Sequence, residues 1–242
     1  SKLFHSKWKY NDDPLYYSWH NYTVFCGHME WGLFPGFVET RKPIQATVLR
    51  DPIDRALSHW NMDGGNSMRF NNANNYTFHE MLRISITTFG QQKTLHHSFG
   101  SGIRNEQVIW ICGINCHPTM NLFEGLQIAK SNLLKTAIVA IQEDLPSLLV
   151  QYQSILPWWP KDNKTFSQFS KRNIKSSRRK ARQATRSQLS DEEIWLLREF
   201  LWADYELYEL AKKLSYLKKS WATHCIIVAK AKNCVGFIDE CY

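Results

Sequence analysis

Three short apolar runs along the chain have the composition of β-strands. They cover residues 22–26, 43–49 and 137–141. The second run carries no charged residue between Lys42 and Arg50, and the third is equally free of charge. Uninterrupted apolar runs of this length are typical of buried parallel strands, which have no polar face. The pattern therefore predicts strands of a mainly parallel sheet.

Between and after these runs, apolar positions recur at helical spacing, and polar residues mark where helices begin. Thr77 with Glu80, and Ser190 with Glu193, have capping-box spacing, in which paired side chains satisfy main-chain N–H groups of the first turn. Helices are predicted over residues 53–60, 77–89, 121–134, 145–156 and 190–214.

Strands that alternate with helices predict an α/β fold with a mainly parallel central sheet flanked by helices. Residues 61–75 are rich in Asn and Gly and are expected to form a surface loop. We expect residues 1–217 to form one domain, and the sequence assigns no structure to a tail over residues 218–242.

Composition excludes two broad classes of protein. The chain has 242 residues, of which 43% are hydrophobic and 14% aromatic, so a disordered chain is excluded. The longest apolar stretches are about five residues, whereas a membrane-spanning helix needs roughly 20. The sequence therefore indicates a globular protein with a sizeable core.

The positive charge is concentrated in one segment. Lys plus Arg number 30 and Asp plus Glu number 22, a net charge of +8. Between Lys171 and Arg186 lie eight basic residues and no acidic one, which equals the surplus of the whole chain. This basic segment suggests an anionic partner: a nucleotide, a polysaccharide or a nucleic acid. The alternative is a solvated helix or loop without a partner.

Cysteines and glycosylation triplets bear on the compartment. Cys112 and Cys116, followed by His117, could be half of a zinc site, a short-loop disulfide or two free thiols. The C-terminal cysteines do not repeat this short spacing as a second zinc ligand pair would, which favours a disulfide in an oxidising lumen. Three Asn-x-Thr triplets could accept glycans there, at positions 21, 75 and 163.

The clearest chemical signal follows the second strand. Arg50 stands at its carboxyl end, where open α/β sheets bind ligands, and Asp51 suits the cap of the following helix. Arg50 offers a fork of donors suited to phosphate, and Ser58, about two helical turns on, adds a hydroxyl. On the residues alone, a structural Arg–Asp pair is the alternative to a phosphate contact, and Arg55 could point outward and pair with Asp51 or Asp54.

The run Arg50-Asp51-Pro52, with Arg55 and Ser58 behind it, resembles the 3′-phosphate-binding motif of the Golgi carbohydrate sulfotransferases. These enzymes transfer a sulfuryl group from 3′-phosphoadenosine 5′-phosphosulfate, and the chain looks most like the heparan sulfate 2-O-sulfotransferase branch. The resemblance implies a P-loop-type sulfotransferase fold. It also implies that Arg50 and Ser58 hold the 3′-phosphate of the donor.

A second segment, which begins at Gly27-His28, is similar to the Gly-His segment that precedes the motif in this family. The His there serves as catalytic base, which implies that role for His28; an imidazole with a pKa near neutral suits it. The 2-O branch carries another His two positions earlier, where this chain has Cys26. Glu30 is a weaker base candidate, and the structural alternative for His28 is a hydrogen-bonded core histidine.

The basic segment also has a counterpart in the family. Residues 175–182 look like the basic loop that closes over the nucleotide, which implies donor-binding roles for Arg178, Arg179 and Lys180. Cys112 and Cys116 match the paired cysteines of the 2-O branch. The resemblance further implies a carbohydrate or glycosaminoglycan acceptor, no metal and no nucleic-acid partner. It implies a type II membrane protein of the Golgi lumen, whose only membrane contact is an anchor expected upstream.

One departure from the family concerns the 5′-phosphosulfate loop. A phosphate cradle needs close approach of backbone N–H groups and therefore glycine, yet the 26 residues before Gly27 contain none. We expect the first strand and this loop to be missing, so that the chain is either a fragment or a degenerate homologue.

Two other functions fit parts of the sequence. The basic segment would suit a non-catalytic polyanion-binding module, although aromatic residues do not interleave with its charges as they do in single-strand nucleic-acid binders. A degenerate sulfotransferase homologue would keep acceptor binding without transferring a sulfuryl group.

Overall fold

The computed structural model of the chain describes residues 3–5, 24–26, 44–63, 77–80, 82–83, 105–113, 116, 120–156 and 185–231. Within these ranges lie four strands: β1 (Leu3–His5), β2 (Val24–Cys26), β3 (Ala46–Leu49) and β4 (Ile138–Ile141). Six helices have full bounds: α1 (Pro52–Asp63), α2 (Glu106–Cys112), α3 (Leu122–Lys135), α4 (Leu145–Ile155), α5 (Asp191–Phe200) and α6 (Trp202–Ala231).

Both described strand pairs are parallel. β1 pairs with β2, and β3 pairs with β4 with Leu49 opposite Ile141. The three predicted strands are confirmed as β2, β3 and β4, whereas β1 was not predicted. The parallel pairing agrees with an α/β fold, and the helices make up most of the described structure.

β4 is covered by helices on both faces. Ile138, Val139 and Ala140 are all fully buried. Val139 packs into a cluster built from β3, α2, α3 and α6, whereas Ile138 and Ala140 pack against α4. Two-sided burial explains the continuous apolar run in the sequence. In β3 only Leu49 is buried; Val48 is 44% exposed, so the prediction of full burial is wrong for this strand.

The predicted helix over residues 190–214 is two helices, broken at Leu201. Leu201 leaves the helical conformation with φ −104° and ψ 20°. Leu197 and Phe200 of α5 pack in a buried cluster together with residues of α1. Ala203 and later residues of α6 pack instead in the cluster built from β3, α2 and α3. At the break the buried residues pass from one cluster to the other, although Tyr205 of α6 still packs against the cluster of α5. α6 then continues through residue 217 to Ala231.

The other predicted helices are confirmed as α1, α3 and α4, and both capping boxes form. Ser190 and Glu193 satisfy each other's main-chain N–H groups, as do Thr77 and Glu80. Of the helix expected after Thr77, residues 78–80 and 82–83 are described and helical. None of the helices in the described ranges is long and apolar enough to cross a membrane.

Candidate functional site

A strand, a tight turn and a helix place the Arg50 motif at one edge of the β3–β4 sheet. β3 ends at Leu49, and α1 begins at Pro52, whose missing N–H costs nothing in the first turn. Asp51 Oδ1 accepts hydrogen bonds from the N–H groups of Ile53 (3.0 Å) and Asp54 (3.1 Å). This confirms Asp51 as the helix cap.

The main chain of the turn is held by side chains from distant parts of the sequence. The N–H of Arg50 donates to Gln107 Oε1 (2.9 Å), and Gln107 Nε2 donates back to the carbonyl of Arg50 (3.0 Å). The next N–H, that of Asp51, donates to Glu143 Oε1 (2.9 Å). These main-chain groups therefore have partners within the protein.

The two side chains predicted to bind phosphate lie on this turn and its helix. Arg50 and Ser58 are both partly buried. Within the described ranges, neither the Arg50 guanidinium nor the Ser58 hydroxyl forms a hydrogen bond or ion pair. The main chain of Arg50, in contrast, is hydrogen-bonded to Gln107. A cation and a hydroxyl that take no described partner suit an anionic ligand.

The two acids beside Arg50 are paired with one other cation, Arg186. Arg186 Nη1 lies 3.1 Å from Asp51 Oδ1 and 3.5 Å from Asp54 Oδ1. The Tyr205 hydroxyl is 3.5 Å from each Asp51 carboxylate oxygen. Burial and the charge of Asp51 raise the pKa of Tyr205 to about 12, so it stays a neutral donor. The negative charge of the cap is thereby compensated beside the candidate anion site.

Arg55 turns inward rather than toward Asp51 or Asp54. It forms an ion pair with Glu106 at the start of α2, and its Nη2 lies 3.7 Å from Asp204 Oδ2. The outward orientation considered from the sequence is therefore wrong. Arg186 forms the ion pairs with Asp51 and Asp54, and Arg55 lies beside Glu106 and Asp204 instead. Arg55 fastens α1 to α2 and α6.

Asp204 is fully buried where α6 meets α2. Its Oδ1 accepts from the N–H of Val108 (2.9 Å), and its own N–H donates to Asn105 Oδ1 (3.1 Å). Burial raises the pKa of Asp204 to about 6, although Arg55 opposes the shift. Burial also acts to raise the pKa of Glu106, but a hydrogen bond to His59 and the charge of Arg55 outweigh it and lower that pKa.

The predicted donor-binding and catalytic residues divide into two groups. Arg50 and Ser58 lie on the same strand–turn–helix unit. His28, Arg178, Arg179 and Lys180 lie outside the described residues, as do the asparagines of the three glycosylation triplets. Arg186, the last basic residue of the basic segment, is described, and its ion pair with Asp51 fixes that end of the segment beside the motif.

Sequence reasoning missed the residues that support the turn. Gln107 lies on α2, which was not predicted; Asn105 and Glu106 followed by apolar residues 108, 109, 111 and 112 are the signal that could have revealed this helix. Glu143 and Tyr205 gave no local signal, since they reach Asp51 across 92 and 154 residues of sequence.

Cys112 and Cys116 form a disulfide at the end of α2. Gly113 has φ 80°, a conformation that favours glycine, and the N–H of Cys116 donates to its carbonyl (3.0 Å), which closes the turn. Oxidised sulfurs are not thiolates, so this pair is not a zinc ligand pair. In the described part of the chain, no group of three or more His, Cys, Asp or Glu could hold a metal ion.

Comparison with known proteins agrees with the motif. The profile of the Sulfotransferase family matches residues 30–211. The chain is 26% identical over 219 residues to a Drosophila melanogaster protein named uronyl 2-sulfotransferase homolog pip. The match covers 83% of this chain and 42% of that relative, so the chain spans about two fifths of the relative's length.

Proposed function

Since the chain belongs to the sulfotransferase family, we propose that it transfers a sulfuryl group from 3′-phosphoadenosine 5′-phosphosulfate to a hydroxyl of a carbohydrate or glycosaminoglycan. The turn after β3 carries the proposal. Its main chain is hydrogen-bonded to Gln107 and Glu143, and Asp51 is paired with Arg186. No described side chain pairs with the Arg50 guanidinium.

In this proposal, Arg50 and Ser58 bind the 3′-phosphate of the donor. A guanidinium can donate two parallel hydrogen bonds to phosphate, and the hydroxyl adds a third. The ion pair of Arg186 with Asp51 supports these roles, because an uncompensated carboxylate beside Arg50 would repel the phosphate. Arg178, Arg179 and Lys180, which precede Arg186 by six to eight residues, would bind the same donor.

The reaction we propose is an in-line transfer. His28 accepts the proton of the acceptor hydroxyl, and the hydroxyl oxygen forms a new bond to sulfur. The bond from sulfur to the bridging oxygen of the 5′-phosphate breaks, and adenosine 3′,5′-bisphosphate leaves. The cationic residues would stabilise the charge that develops on that oxygen.

The acceptor class and the compartment rest on separate support. The name of the fly relative points to a uronyl residue as the sugar, so we propose a uronic-acid-containing glycosaminoglycan as acceptor. The Cys112–Cys116 disulfide supports an oxidising compartment, consistent with a Golgi-lumenal enzyme.

Calorimetric titration with adenosine 3′,5′-bisphosphate tests the site. We expect saturable binding that weakens at least about 100-fold in the double variant Arg50→Ala, Ser58→Ala, because two charge-assisted contacts are each worth about 1.5–3 kcal/mol. The double variant Lys135→Ala, Ser131→Ala is the control, since it also removes one positive charge and one hydroxyl, but from the exposed face of α3. Equal binding by the two double variants would contradict the proposal. With radiolabelled donor and a uronyl polysaccharide, label incorporation should follow the same order.

A further inference from the structure

The contact between Gln107 and Arg50 is a reciprocal pair of hydrogen bonds. One carboxamide accepts from the N–H of Arg50 at 2.9 Å and donates to its carbonyl at 3.0 Å. Two residues of an antiparallel sheet exchange the same pattern through their main chains. Gln107 is only 7% exposed, so water does not compete freely for these bonds. Arg50 is therefore held like a strand residue one position beyond the end of β3.

Gln107 is itself held in place. The N–H of the next residue, Val108, donates to buried Asp204, and Glu106 on the other side pairs with Arg55. The first turn of α2 is thus fastened to both α6 and α1. These contacts hold the main chain at Gln107, so its carboxamide extends toward Arg50 from a fixed point of α2.

The main chain of Arg50 is constrained, whereas its guanidinium takes no described partner. We propose that Gln107 is a positioning residue for the anion site: by fixing the Arg50 main chain, it aims the guanidinium at the 3′-phosphate. Such pre-organisation raises affinity because less conformational freedom is lost on binding. The inference rests on the proposed function, since it names how that site is supported.

The variant Gln107→Met tests the inference, because methionine has nearly the same length without the two hydrogen bonds. Affinities are measured calorimetrically for adenosine 3′,5′-bisphosphate and for adenosine 5′-monophosphate, which lacks the 3′-phosphate. We expect affinity for the bisphosphate to fall about tenfold and that for the monophosphate to change less than twofold. Equal loss for both ligands, or loss for neither, would overturn the inference. Gln127→Met, at an exposed position on α3, is the control.

Gln107→Glu provides a second test, which can be used even if Gln107→Met folds poorly. A carboxylate beside the Arg50 carbonyl would repel it, whereas a protonated carboxyl can accept from the N–H and donate to the carbonyl as glutamine does. Burial favours the protonated form. Relative to the wild type at each pH, bisphosphate affinity should recover as the pH falls from 8 to 5. A constant ratio would overturn the inference.

The single variant Arg50→Ala separates the inference from the proposed function. If Arg50→Ala leaves bisphosphate affinity unchanged, the proposed 3′-phosphate site is wrong, and the inference fails with it. If Arg50→Ala weakens binding but Gln107→Met keeps the full difference between the two nucleotides, only the inference fails. In the double variant, the loss should be smaller than the sum of the single losses, because Gln107 acts through Arg50.

Discussion

At the scale of single residues, Asp51 performs a structural task at a place where a carboxylate is otherwise unfavourable. It caps α1 through the N–H groups of Ile53 and Asp54, yet it lies next to Arg50 in the proposed phosphate site. Arg186 and the Tyr205 hydroxyl face its oxygens and compensate its charge. The site thus combines a helix cap with local positive charge.

Arg186→Ala tests this compensation. Without Arg186, Asp51 and Asp54 lose their ion-pair partner and repel the phosphate, so we expect bisphosphate affinity to fall several-fold. The loss should shrink at higher salt concentration, because salt screens this repulsion. Titrations at about 50 and 300 mM salt measure both effects. Arg186→Lys keeps the charge and should lose less. A loss in Arg186→Ala that does not depend on salt would indicate a purely structural role instead.

At the scale of elements, buried Asp204 joins α6 to the start of α2 and to Arg55 of α1. In the folded protein its pKa is about 6, above the value near 3.9 of an unfolded aspartate. The folded state therefore binds a proton more tightly. The stability that this proton contributes is present in full below about pH 4 and is lost as the pH rises through about 6.

Asp204→Asn removes this titration and keeps an oxygen that can accept from Val108. Relative to the wild type, the variant should gain stability between pH 4 and 7, by up to about 3 kcal/mol. Urea unfolding at several pH values measures the difference in the free energy of unfolding. Asp191→Asn, the same change at an exposed position, is the control. A difference that stays constant from pH 4 to 7 would contradict the assignment.

Elements that depend on local sequence could be predicted, and those that depend on packing could not. The cap at Asp51, both capping boxes and the buried run of β4 are local signals, and each is confirmed. The break at Leu201 has no glycine or proline to mark it; it lies where the chain passes from one buried cluster to the other.

At the scale of the whole molecule, the candidate site is assembled from distant parts of the chain. Arg50 and Ser58 could be named from a local motif, whereas Gln107, Glu143 and Tyr205 reach the turn across 57 to 154 residues. A short motif identifies the candidate ligand-binding side chains, but the residues that support them follow only from the tertiary structure. The family match over residues 30–211 includes all of these residues.

A crystal structure of the chain with adenosine 3′,5′-bisphosphate would show directly whether Arg50 and Ser58 bind the 3′-phosphate. We expect the 3′-phosphate at about 2.7–3.2 Å from the Arg50 guanidinium and the Ser58 hydroxyl, with the Gln107 carboxamide still paired to the Arg50 main chain. A nucleotide bound with its 3′-phosphate away from both side chains would contradict it.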